Sequence, residues 1–498
     1  MAIEHTLESN RARAKAIRLP VDALIGGLSV SALSGRHFEN VAPAHGQSLG
    51  AVAACDGTDV DRAVGEARAA FADRRWRGLP AKARKKIMHA FADIIERHAD
   101  ELALLESLDT GKPITDARQV DVELAIGTCR YYAEALDKVH GETGPHNPGR
   151  LSYTVHEPLG VIGAIVPWNF PLHLAMWKVA PALACGNSVV VKPAEQSSMT
   201  AIRMAELALD AGIPAGVLNV VPGFGSEAGV ALASHMDVDM IAFTGSGNVG
   251  RLLMRYAGES NLKRVALELG GKSPQIVFAD CPDLDAAATA AAWGVFYNQG
   301  QVCTAASRLL VQEEIKAEFV ARVARIASEI VPGDPLDPAT RFGSMVSEAQ
   351  MNSVLRHIDT AKREGAETIL DGGRTLEETG GFYIAPSIFG IRPGDTLARE
   401  EVFGPVLGVI GFTDEQEAVR IANDTVYGLA AGLWTRDLDR ALRVVDQLHA
   451  GMVWVNGWDA CDITMPFGGF KQSGFGRDRS MHALEKYADL KSVTFTFR

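Results

Sequence analysis

Cys303 stands in the run Asn298-Gln299-Gly300-Gln301-Val302-Cys303-Thr304, where polar residues and a glycine replace the apolar neighbours a core cysteine usually keeps. A thiol so placed reads as a nucleophile, because a thiolate attacks carbonyl carbon strongly and its thioesters hydrolyse readily. The other cysteines (Cys55, Cys129, Cys185, Cys281 and Cys461) have no comparable surroundings and read as structural. A second constellation is Gly245-Ser246-Gly247-Asn248-Val249-Gly250, a G-x-G-x-x-G run, with Glu268 about 20 residues further on. Such a run suits a pyrophosphate turn, and the acid at that spacing suits a ribose hydroxyl. Lys192 and Glu195 offer a competing ribose site from a different strand, and the local sequence leaves both open.

The elements that must position these groups alternate short β-branched runs with Ala-rich amphipathic stretches, the pattern of an α/β fold with largely parallel sheets. Gly160–Val166 predicts a buried strand that runs into Pro167-Trp168-Asn169-Phe170-Pro171. Ser188–Val191 predicts a second, followed by Lys192 to Glu195 and a helix over Thr200–Ala211. Val217–Val221 leads to Gly223, Gly225 and Gly229, and Met240–Phe243 leads into the glycine run and a helix to about Ala257. In such a chain of βα units, ligands sit beyond the C-terminal ends of the strands. A further α/β region spans roughly Gly271 to Phe467, and Ser492–Phe497 alternates like an edge strand. Turn-rich breaks fall at Gly141–Gly149 and Asp334–Pro338.

At 498 residues the chain exceeds what one core organises, so two or three domains are expected. A formal charge of −12 argues against a nucleic-acid surface. Scattered cysteines without C-x-x-C pairs suit a reducing compartment and lack a zinc pattern. With no apolar leader at the N-terminus and no run of about 20 apolar residues, the expected location is the cytoplasm, without a membrane partner.

Pro167–Pro171, Phe243–Ser246, Leu267-Glu268-Leu269-Gly270-Gly271-Lys272, Phe296–Cys303, Glu401-Val402-Phe403-Gly404-Pro405 and Pro466–Gly469 together resemble the motifs of aldehyde dehydrogenases, in the family's order and over nearly the whole chain. The resemblance implies the aldehyde-dehydrogenase fold: a Rossmann-like cofactor domain, an α/β catalytic domain and a small β oligomerisation element. The expected ranges are 1–137 and 157–268 for the NAD-binding domain, 269–483 for the catalytic domain, and 138–156 with 484–498 for oligomerisation. It also reassigns Glu268 from ribose ligand to general base and gives the ribose to Lys192 and Glu195.

By the same resemblance, Cys303 attacks the aldehyde to give a thiohemiacetal that loses hydride to the nicotinamide and becomes a thioester. The Asn169 amide and the Cys303 N–H face the oxyanion, Glu268 activates the hydrolytic water, and Lys178 assists proton transfer. The implied cofactor contacts are Ile165, Pro167, Trp168, Lys192, Glu195, Gly225, Gly229, Phe243, Gly245, Ser246, Val249, Leu269, Glu401 and Phe403. A carboxylate at Glu195 accepts the 2′-hydroxyl and repels a 2′-phosphate, so NAD is preferred, with NADP tolerated if Glu195 swings away.

Phe278–Leu284, Tyr297–Cys303 and Met481–Lys491 are most similar to the branch that oxidises γ-glutamyl-γ-aminobutyraldehyde and guanidinobutyraldehyde, which implies a substrate from polyamine or arginine catabolism. Acids at Asp121, Asp459 and Asp462, with aromatic or apolar walls at Phe170, Trp177, Tyr297, Trp458 and Phe467, fit an ammonium or guanidinium group. The alternatives are a dehydrogenase of neutral aliphatic or aromatic aldehydes, a CoA-acylating relative, and a non-catalytic relative. Glu268 argues against the CoA route, and the intact trio Cys303, Glu268 and Asn169 argues against the last. The C-terminal strand, added to a neighbour's sheet, implies a homodimer or homotetramer.

Overall fold

The computed structural model describes residues 6–460 and 462–497, so Cys461 lies outside the described residues. Five parallel strands form the centre of an eight-stranded sheet: β1 (Val161–Ile165), β2 (Ser188–Lys192), β3 (Leu218–Val220), β4 (Met240–Thr244) and β5 (Arg264–Glu268). Their spatial order is β3-β2-β1-β4-β5, so the chain reverses direction across the sheet between β1 and β4. Every residue of β1 and β2 is buried, as strands covered by helices on both faces require.

Helix α1 (Pro171–Cys185) follows β1. Pro171 starts it where a missing N–H costs nothing, and Gly186 ends it at φ 99°. All but the last of its residues are buried, which makes it an internal strut rather than an amphipathic cover. Helix α2 (Gly247–Glu259) follows β4 and is capped by the Ser246 hydroxyl, which accepts the Val249 N–H.

A second, seven-stranded sheet runs in the order Glu367–Leu370, Ser387–Gly390, Val406–Phe412, Arg308–Gln312, Pro274–Val277, Ala430–Trp434 and Met452–Val455, parallel except at its first pair. Helix α3 (Leu284–Phe296), capped by Asp283, leads from it to the cysteine loop.

Two segments cross the expected domain limits. Gly474–Phe475 pairs antiparallel with Leu267 and Glu268, and Ala483, Leu484 and Tyr487 pack into the core around α1. The end of the range expected to be catalytic therefore returns to complete the first sheet. Arg150–Pro158 and Ala488–Thr496 pair antiparallel over nine residues as a separate two-stranded ribbon. Among the described residues no helix is long and apolar enough to cross a membrane.

Candidate active site

The strand ends at the β1/β4 reversal carry Ile165, Thr244 and, one strand over, Glu268, in the crevice where open parallel sheets bind ligands. Cys303 approaches from the second sheet through three consecutive left-handed residues, Asn298 (φ 48°), Gln299 (φ 57°) and Gly300 (φ 72°). A Cβ at Gly300 would strike the Gly404 carbonyl, so only glycine fits there. The Asn169 amide donates to the Gln301 carbonyl at 2.9 Å, and the Asn298 amide donates to the Asn169 carbonyl at 3.1 Å. These bonds stitch the end of β1 to the cysteine loop and leave Asn169 a second N–H.

Two cavities meet at Cys303. One of about 230 Å³ is lined by Pro167, Trp168, Asn169, Gly245, Ser246, Glu268, Leu269, Glu401 and Phe403. The other, of about 440 Å³, is lined by Phe170, Trp177, Tyr297, Trp458, Asp459 and Phe467, among others. Burial, then the carboxylates of Glu401, Asp459 and Glu268, push the Cys303 thiol well up. Burial also lifts Cys55, Cys129 and Cys185, each to about 12, so it is position and not acidity that sets Cys303 apart.

Glu268 is 4% exposed, and its Oε2 has no hydrogen-bond partner among the described residues. Burial, then Asp478, raise its carboxyl well above the usual range, against the pull of Lys178, Lys486 and Arg477. Lys178 is not in either cavity wall. It ion-pairs with Asp478, which also holds Lys486, in a buried layer behind Glu268. Two lysines thus face two carboxylates there. Glu401 accepts the Gly271 N–H at 2.9 Å, and burial pushes its carboxyl up to about 7. A Cβ on Gly270 would collide with that carboxylate.

The residues present fit a dinucleotide. Lys192 Nζ and Glu195 Oε1 stand 3.4 Å apart at the end of β2, and Glu195 accepts the Gly225 N–H at 2.5 Å. Gly229 leaves the Lys192 stem room, and Phe243 closes the base beneath Gly245. Val249 lies in the exposed first turn of α2, whose N-terminal N–H groups suit phosphate. Trp168 and Phe403 meet edge to face at 5.2 Å on the side nearest Cys303.

Two expected substrate acids are elsewhere. Asp121 is fully buried, because a π-turn over Ala117–Val122 rotates it inward onto Lys112. It acts only behind the wall, since Lys112 lies 4.0 Å over the Phe170 ring. Asp462 is exposed and spent locally on the Thr464 N–H and hydroxyl. Asp459 does line the cavity, in a left-handed conformation (φ 50°), with its carboxyl raised by burial against Arg479 and Thr304. Sequence reasoning missed Asp116 and Arg341, which also line it, and the partners Asp478 and Lys486. The π-turn hides the first in any helical count, and no local pattern marks the others.

Residues 30–493 match the model of the aldehyde dehydrogenase family. The chain is 50% identical over 483 residues to the NADP/NAD-dependent aldehyde dehydrogenase PuuC of Escherichia coli (strain K12), covering 96% of this chain and 97% of that one. The solved γ-glutamyl-γ-aminobutyraldehyde dehydrogenase of Burkholderia cenocepacia J2315 is similar at a TM-score of 0.97 and 52% identity, covering 99% of this chain and 100% of that one. An indole-3-acetaldehyde dehydrogenase solved with NAD+ gives 0.97 and 50%, with coverages of 99% and 100%. A thiol at the junction of two cavities, one built for a dinucleotide, on a fold shared end to end with these enzymes, makes the chain a member of the aldehyde dehydrogenase family and an NAD(P)-dependent oxidoreductase of aldehydes.

Proposed function

We propose that the protein oxidises an aldehyde bearing an ω-nitrogen (amino, guanidino or γ-glutamylamino) to the carboxylate through Cys303. The single observation that carries this reading is Asp459, a carboxylate in the aromatic wall of the cavity that ends at the thiol. An N–H on the ω-nitrogen donates to it, while Phe170, Trp177, Tyr297, Trp458 and Phe467 surround the methylene chain.

Glu268 takes the thiol proton, the thiolate adds to the carbonyl carbon, and the oxygen becomes an oxyanion facing the Asn169 amide and the Cys303 N–H. Losing one such donor costs about 10²–10³ in rate. NAD, or NADP where Glu195 yields, supplies when bound the acceptor for the hydride whose loss makes the carbon a thioester. Lys192 and Glu195 would hold its adenosine ribose, Gly245 and Ser246 its pyrophosphate, and Glu401 and Phe403 its nicotinamide ribose and ring, with Ile165, Pro167, Trp168, Gly225, Gly229, Phe243, Val249 and Leu269 around them. Once Glu268 has released the thiol proton to solvent, it removes a proton from water, the hydroxide adds to the thioester, and the C–S bond breaks to return the thiolate. Lys178, through Asp478, steadies the charge on Glu268.

Residues 138–156 and 484–498 are assigned to oligomerisation, with 1–137 and 157–268 serving the cofactor and 269–483 the thiol. A two-stranded ribbon alone is marginal in water, and this one exposes Leu490 (63%) and Phe495 (49%), so a second copy fits as its cover in a homodimer or homotetramer. Five free cysteines among the described residues support the cytoplasm as its compartment.

The test is kcat/KM for 4-aminobutanal, 4-guanidinobutanal and the γ-glutamyl derivative, each divided by that for butanal. The aminated aldehydes are expected to lead, and Asp459→Asn to lower that ratio about 10-fold. If butanal leads in the wild type, the aromatic walls are selecting neutral aldehydes instead.

A further inference from the structure

The substrate-side cavity contains two opposite charges that the protein does not use internally. Asp116 ends the short helix Ile114–Asp116, and Arg341 projects from the loop before the second sheet's next helix; both line the cavity that reaches Cys303. Their neighbours are committed. Arg118 binds Asp100 and Glu123, and Asp121 takes Lys112. Among the described residues, neither Asp116 nor Arg341 has an ion pair or a side-chain hydrogen bond, although the Arg341 charge favours an ionised Asp116.

Arg341 lies over the Trp293 ring at 5.3 Å. Stacking engages the guanidinium face and leaves the edge N–H groups for a planar anion. Burial pushes the Asp116 carboxyl up to about 6, against Lys112 and Arg341, so it is ionised at neutral pH. A simple cation placed between them meets repulsion from Arg341, and a simple anion meets repulsion from Asp116. A group carrying both charges satisfies both residues. Leu124, Leu174 and Trp293 line the same cavity and give it apolar wall, suited to a chain of methylenes and one amide.

We propose that Asp116 and Arg341 hold the ammonium and the carboxylate of an α-amino-acid terminus, so that the cavity's fitting substrate is an aldehyde joined through an amide to a γ-glutamyl-type head. The inference rests on the ω-nitrogen reading above and specifies what lies beyond that nitrogen. In such a molecule seven chain atoms lie between the aldehyde carbon and the α-carbon, about the reach of three extended residues, or roughly 10 Å.

The experiment compares three amide-linked aldehydes that share the same ω-nitrogen N–H: the full γ-glutamyl compound, an analogue lacking the α-amino group, and an analogue lacking the α-carboxylate. Butanal is the fourth substrate. In the wild type, kcat/KM for the full compound should exceed each analogue about 10–100-fold. Arg341→Met should collapse the ratio of the full compound to the decarboxylated analogue toward one. Asp116→Asn should do the same for the ratio to the deaminated analogue. Because each readout is a ratio within one protein, a loss of folded enzyme cancels. If all three amides beat butanal equally, or if the variants keep the wild-type ratios, the zwitterion receptor is refuted while the ω-nitrogen reading stands. If butanal beats all three amides, both fall.

Discussion

Helix α1 lies between two buried clusters of lysines and acids that differ in one count. Near its start, Lys112 alone serves Asp121 and Glu106, and Glu106 is bonded by the Leu172 N–H. One cation cannot balance two carboxylates, and Glu106 is accordingly pushed well up, by burial first and then by Asp121. Further along, Lys178 and Lys486 share Asp478 behind Glu268, two cations for two acids. The surplus acid of the first cluster is pressed toward its neutral form and packs in the wall behind Phe170. In the second cluster the charges can balance, and Glu268 faces the cavity at Cys303 with an unpartnered oxygen. Buried ionic clusters of similar composition thus become structural or catalytic according to whether one acid is left both open to the cavity and electrically supportable.

The difference can be broken most forcefully at Glu268. Glu268→Gln removes the base, and steady-state kcat should fall about 10²–10⁴-fold. Stopped-flow absorbance should still show a first turnover of NADH if the loss is in deacylation. Next, Lys112→Met strips the first cluster of its cation and leaves Asp121 buried without a partner, which should cost about 3–5 kcal/mol in urea unfolding. Lys178→Met should cost less stability, because Asp478 keeps Lys486. Its signature is in pH dependence. Lys178 holds the Glu268 carboxyl down, so its loss raises that carboxyl further, and the base form appears only at higher pH. The rising limb of the kcat–pH profile should move about one unit upward. Glu106→Gln, which keeps an acceptor for the Leu172 N–H without the charge, should leave kcat/KM and the urea midpoint unchanged within error.

Much of this was legible in the residues. Four of the five central strands were found within a residue or two, because buried parallel strands are short, continuous and apolar, and the residues after them at Asn169 and Gly245 mark the crevice; β5, which opens on the exposed Arg264, was not read as a strand. Cys303 betrayed itself by polar neighbours. Asp121 misled because an α-helical count cannot see the π-turn that buries it on Lys112. Asp462 misled because proximity in sequence to Phe467 says nothing about which way a loop turns. Asp478 and Lys486 were invisible, since their meaning depends on Lys178 and Glu268, which the sequence places far away.

That separation has a consequence in time. Lys178 and Asp478 are 300 positions apart, and at about 5–20 residues per second the second emerges roughly 15–60 s after the first. Through that interval α1 carries a lysine whose counter-ion has not been made, on a helix with no other lysine, arginine or acid. The cofactor-side sheet, which also waits for Gly474–Phe475 to cover β5, cannot close around that charge early without a penalty. The thiol at Cys303 is therefore synthesised well before the base near it is electrically complete.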